Sequence, residues 1–266
     1  MKNNDLDIQG YIKLDNKYYK YNYEIDGVYY CYNNIIIDNN EVKKYDKEKY
    51  IVMDYFIIDL INKRIVTYDK YIKDSFPEIF NIEKISITKI KKENKMFREV
   101  EIVSFDKKIT RLTLDNNNNL IKIDSNITCD IPNNFLIRNK YLQEINLFNV
   151  KNVGDYFLYT NTDLSLVNIP RVENIGISFL CCNRNVKSVN FLHAKNIHNY
   201  FFNYNTEIEV VNLPNVEKIY AGFLHNDKKL KVLNVKDYIY DYYKDKFPLL
   251  NDYQKQKVLA KKVLKY

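Results

Sequence analysis

The sequence predicts a β-dominated solenoid of stacked rungs, with a parallel sheet on one face, a β-rich N-terminal region and a helical C-terminal cap. Three observations carry this. Phe135, Phe157, Phe179, Phe201 and Phe223 stand 22 residues apart without slippage. The apolar positions around them recur at the same period. The regions on either side do not repeat at all. A unit of this length cannot bury its own apolar side, but stacked units share one continuous core, each touching only its neighbours.

The chain before the repeat alternates apolar and polar residues between turn signals. Tyr11–Leu14 leads through Asp15-Asn16 into Lys17–Tyr21, and Asp26-Gly27 separates Tyr23–Ile25 from Val28–Tyr30, a hairpin signal. Ile35–Ile37 ends at Asp38-Asn39-Asn40. Tyr50–Ile61 is nearly all apolar and turns at Asn62-Lys63 into Arg64–Tyr68. A short helix is expected at Ser75-Phe76-Pro77-Glu78, because proline suits a first helical position after serine. Strands are expected at Lys84–Thr88 and Glu99–Val103. Residues 1–105 fit either a separate small domain or a β cap on the first rung.

The repeat opens in worn form, with Leu114, Asn117, Leu120 and Ile123 in register and Asp124 and Ser125 departing from it. The columns are then regular. Leu142, Leu164, Val186, Ile208 and Leu230 are followed three places on by Ile145, Val167, Val189, Val211 and Leu233. Next comes asparagine every time: Asn146, Asn168, Asn190, Asn212 and Asn234. Leu147, Ile169, Phe191, Leu213 and Val235 close the strand. Pleat alternation places the asparagines on the outer face between two inward columns, where stacked amides can bond one another. Beside them, Leu166, Val210, Phe148 and Leu192 make that face unusually apolar, which suggests a partner surface or coverage by the terminal regions. A second column, Asn139, Asn161, Asn183 and Asn205 with Asp227, falls at a bend, where side-chain amides can satisfy buried backbone groups. After Asp237 the register ends. Leu249–Tyr266 is expected to be an amphipathic helix closing the last rung.

Leu142-x-x-Ile145-x-Leu147 and its copies resemble the strand signature of leucine-rich repeats. Ile175-Gly176, Pro214-Asn215-Val216 and the Phe-Leu-x-x-Asn pieces resemble the BspA-like subclass, known from AT-rich bacteria, protists and giant DNA viruses of amoebae. The likeness covers residues 113–237. It departs where Val150, Val172, Ala194 and Val216 replace the asparagine after the strand. It implies an α/β, β-dominated leucine-rich-repeat solenoid, divided as residues 1–112, 113–237 and 238–266. It also implies a non-enzymatic protein-interaction module whose partner, a protein, meets the sheet face at Asn146, Asn168, Asn190, Asn212, Asn234, Leu166, Val210, Phe148 and Leu192. The alternative is a structural or self-assembling protein such as a particle component. A third reading is an enzyme with its site in the N-terminal region.

Composition and chemistry favour no catalysis. Net charge is +7 with no strong basic face, so nucleic acid is not indicated. No signal core or membrane-length apolar run occurs, so an intracellular, cytoplasmic location is expected, in the host cell or virion if the source is viral. The four cysteines do not form a disulfide framework. Cys181-Cys182 lack a histidine close enough to activate them, and His193, His198 and His225 read as loop residues. Glu207, Glu209 and Asp227 read as a chance acidic patch rather than an acid–base pair. No catalytic residue, metal or cofactor is expected.

Overall fold

A computed structural model describes residues 77–250 without a break and, before them, residues 11–14, 17–25, 28–31, 35–38, 41–44, 49–52, 57–60 and 62–66. The chain divides into two compact units, Met1–Lys73 and Asp74–Tyr266.

In the first unit, β1 (Tyr11–Leu14), β2 (Lys17–Ile25), β3 (Val28–Cys31), β4 (Ile35–Asp38) and β5 (Glu41–Lys44) form an antiparallel meander. β2 and β3 pair antiparallel with Ile25 opposite Val28, and the expected turn residues Asp26 and Gly27 lie outside the described residues. β6 (Tyr50–Val52), β7 (Ile57–Asp59) and β8 (Arg64–Val66) make a second small sheet whose Ile51, Ile57 and Ile58 are buried. Buried Asp59 holds the last turn. It accepts from the Asn62 backbone N–H at 3.0 Å and side-chain amide at 2.7 Å, and from Arg64 Nε at 3.4 Å.

The second unit opens with the short helix α1 (Pro77–Phe80), then β9 (Ile82–Lys92), β10 (Lys95–Ser104) and β11 (Ile109–Leu114), all antiparallel. The next strand, β12 (Leu120–Ser125), joins two architectures. It pairs antiparallel with β11 and parallel with β13 (Glu144–Leu147), placing Ile123 opposite Ile145 and Asp124 opposite Asn146. Residues 82–114 thus extend the first rung's sheet as a cap. This corrects the worn repeat: only its strand half is a rung. Asp115 bonds the N–H groups of Asn117 and Asn119 in a tight β11–β12 turn, which stands where a phenylalanine turn would be. Ser125 occupies an inward, buried position because its hydroxyl pairs with Thr110 at 2.7 Å.

The rungs continue through β15 (Leu166–Asn168), β17 (Ser188–Asn190), β19 (Val210–Asn212) and β21 (Val232–Asn234), parallel wherever they pair and offset by one repeat. A second parallel ladder runs beside them through β14 (Asn152–Val153), β16 (Asn174–Ile175), β18 (Asn196–Ile197) and β20 (Lys218–Ile219). The molecule is a β-solenoid of about five stacked turns.

After each strand of the second ladder, and before the next main strand, comes a turn built on the phenylalanine, as Phe157 between β14 and β15 shows. The phenylalanine rings stack through the core, 6.2 Å apart for Phe135–Phe157, then 5.8, 5.8 and 5.6 Å up to Phe223. Residues just before, just after and three after each phenylalanine take positive φ, including Tyr156, Leu158 and Thr160. Such residues cost ~1–2 kcal/mol apiece. Pairing between rungs offsets this: Tyr156 N–H donates to Ile177 O at 2.7 Å and Thr160 N–H to Cys181 O at 2.9 Å.

The phenylalanine stack ends on the C-terminal segment. There α2 (Asp237–Tyr243) and the following turn bring Tyr243 within 5.1 Å of Phe223. The helix expected over Leu249–Tyr266 falls, from residue 251 on, outside the described residues.

Candidate interaction face

The outer surface of strands β12, β13, β15, β17, β19 and β21 arranges side chains in ordered columns facing away from the core. Its central column is the strand asparagine. These residues do lie between two inward positions, but most of their amides bond neighbouring side chains rather than stand open. Asn212 donates to Asn190 Oδ1 at 2.7 Å, and Asn234 to Asn212 Oδ1 at 2.5 Å. Asn146 donates to Asp124 Oδ1 at 2.6 Å and to Glu144 Oε1 at 2.7 Å. Asn146 and Asn212 are buried, while Asn168, Asn190 and Asn234 are half-buried. Asn168 bonds neither Asn146 nor Asn190, and the backbone pairing of β15 with β17 also breaks there.

The apolar neighbours are the open part. Leu166 is 49% exposed, and Phe148 and Leu192 are each 44% exposed. Phe148, Pro170, Leu192 and Pro214 form one apolar column, with Leu166 and half-buried Val210 across the asparagine ladder. Val232, the next residue in that second column, is buried.

One end of the face is charged. Lys122 sits 2.9 Å from Glu144 and 3.2 Å from Asp124. Partial burial opposes its charge, but bonds to the two carboxylates outweigh this and hold its pKa above the ordinary lysine value. Ion pairs one repeat apart flank the rungs: Glu173–Lys195 at 2.7 Å, Glu207–Lys229 at 2.6 Å and Glu209–Lys231 at 2.9 Å. Both glutamates of the sequence's acidic patch are therefore paired with lysines.

The other chemistry-bearing residues are dispersed. His193, His198 and His225 are exposed, and His198 stacks on Tyr220 with ring centres 5.1 Å apart. Cys181 and Cys182 hold their sulfurs 3.4 Å apart, in a hydrogen bond and not a disulfide. Burial, then the hydrogen bond shared with Cys182, pushes the Cys181 thiol up to about 12, and burial does the same for Cys129. No helix among the described residues is long and apolar enough to cross a membrane.

Sequence reasoning overlooked a third asparagine ladder, on the second sheet. Asn196 donates to Asn174 Oδ1, Asn174 to Asn152 Oδ1 and Asn152 to Asp130 Oδ1, each at 2.7 Å. Its signal was the same spacing, hidden beside the more regular apolar columns. Compared with known proteins, the chain matches no family model, no curated protein and no solved structure.

Proposed function

We propose that the chain is a non-enzymatic recognition module of the leucine-rich-repeat, BspA-like kind, and that a protein partner docks on the outer face of strands β12, β13, β15, β17, β19 and β21. The observation that carries this is the column of Phe148, Pro170 and Leu192 with Leu166 beside it, large apolar groups left in water on an otherwise polar-satisfied face. Interface centres favour such anchors, ringed by polar groups, and the Lys122–Asp124–Glu144 cluster supplies one polar rim. Because the asparagines bond one another, they set the register of the platform, while the apolar side chains offer the contact energy.

The test uses Leu166→Lys and Leu192→Lys, placed where the side chain is exposed and the fold has little to lose. Partners captured by the wild-type chain are identified and their affinities measured against both variants. A control, Lys218→Glu on the second sheet, should keep wild-type binding. A drop of tenfold or more for the two leucine variants alone is expected. Unchanged affinity for them removes the sheet face as the binding surface.

A further inference from the structure

The buried asparagine column at the bend works as a relay between rungs. The Oδ1 of Asn161 accepts from the Asn139 backbone N–H, that of Asn183 from Asn161, and that of Asn205 from Asn183, at 2.7, 2.8 and 2.8 Å. Each amide Nδ2 donates to a carbonyl 25 residues earlier: Asn161 to Leu136, Asn183 to Leu158 and Asn205 to Leu180, at 2.7, 2.8 and 2.8 Å. The last member is Asp227. Its Oδ1 takes up the relay, accepting from Asn205 N–H at 2.7 Å. By the same register its Oδ2 stands where the amide nitrogen would donate to the Phe202 carbonyl. An ionised carboxylate has no proton to give there. Oδ2 is buried without a hydrogen-bond partner, in a side chain only 3% exposed. No donor reaches the Phe202 carbonyl among the described residues.

We propose that Asp227 is held protonated in the folded chain, that its Oδ2–H donates to the Phe202 carbonyl in place of the amide, and that loss of this proton unseats the last rung.

Among the described residues no cation bonds Oδ2. Below it lies the neutral Cys181 thiol, two rungs down. From its own turn, His225 and Lys228 line the adjoining cavity of about 390 Å³, and His225 Nδ1 is engaged with Asn226 at 2.6 Å. From the C-terminal segment come Tyr242, Tyr243 and Lys246, whose Nζ rests 3.8 Å from the Tyr242 ring centre. Burial pushes the Asp227 carboxyl from 3.8 up to about 8, against the lowering effect of the Asn205 N–H. The folded pKa is therefore above the unfolded one. Between the two values the folded chain holds a proton that the unfolded chain has released. Stability is full below about 4, falls as pH rises through the window, and levels above about 8. The unfolding constant changes about tenfold per pH unit inside it.

Asp227→Asn restores the column and supplies the proton permanently. Urea unfolding of the full chain and of this variant is compared at pH 5 and pH 8. The ratio of their unfolding constants is expected to rise by a factor on the order of 10²–10³ between the two pH values. The carboxyl carbon resonance of Asp227 is followed in the wild-type chain over the same range, which needs no variant. A midpoint well above the ordinary carboxylate range supports the proposal. A ratio that does not change with pH, or a midpoint near 4, overturns it.

Discussion

Replacing Asn183 with alanine should be among the most damaging single changes in this chain. The side chain is fully buried. Its Oδ1 accepts from Asn161 N–H at 2.8 Å, and its Nδ2 donates to Leu158 O at 2.8 Å and to Cys181 O at 3.3 Å. Alanine removes all three bonds and leaves the Asn161 N–H and the Leu158 carbonyl inside the coil without that partner, while the Cys181 carbonyl keeps the Thr160 N–H. A buried polar group left without a partner costs about 1–3 kcal/mol. Counting only the two short bonds gives roughly 2–6 kcal/mol, before any term for the space vacated. The matched control is Asn185→Ala. Asn185 donates to Thr162 O at the same 2.8 Å, but in an exposed setting where water takes over. Its loss should cost about 0.5 kcal/mol or less. Urea unfolding by circular dichroism, with stabilities taken from midpoint and slope, separates the two. If Asn183→Ala costs no more than Asn185→Ala, the relay does not hold the rungs together and the proton-bearing role of Asp227 loses its structural basis.

Two further outcomes test the packing and the thiols. A Cβ on Gly176 would come within 2.5 Å of the Gly154 carbonyl carbon, a backbone atom that cannot step aside, so Gly176→Ala should destabilise by about 1–3 kcal/mol in the same unfolding assay. Unchanged stability would mean that the rungs do not approach this closely. Cys129 and Cys181, each with its thiol pushed up to about 12 by burial, should resist iodoacetamide at pH 7.5 until the chain is unfolded. Labelling in the folded state at the rate of a free thiol, located by mass spectrometry, contradicts their burial.

Much of the architecture was legible because a repeat writes each contact several times. The offset between equivalent residues in sequence is the offset between paired residues in space, as Ile123 opposite Ile145 and Asn212 opposite Asn234 show. The expectation that the Asn139–Asn205 column satisfies buried backbone also held, since an amide repeated at a bend has few other uses. Where the repeat stops, the pattern loses this redundancy. Each antiparallel pairing over residues 82–125 occurs only once, so nothing in their sequence states which strand meets β12. The seven-residue helix at Asp237–Tyr243 was equally silent, because six of its seven residues are Asp or Tyr and form no clear apolar stripe.

The sequence alone determined the period, the inward columns and the positions of the asparagines. Tertiary structure decided what the asparagines do. In the outer ladder their amides are consumed by neighbours one rung away, which leaves Phe148, Leu166 and Leu192 as the open groups. In the bend, it turned one conservative-looking change, aspartate for asparagine at position 227, into a buried oxygen with no donor to offer. Spacing fixes which residues recur together. Exposure and hydrogen-bond balance depend on what stacks above and below each one, and at the ends of a solenoid that differs from every rung between.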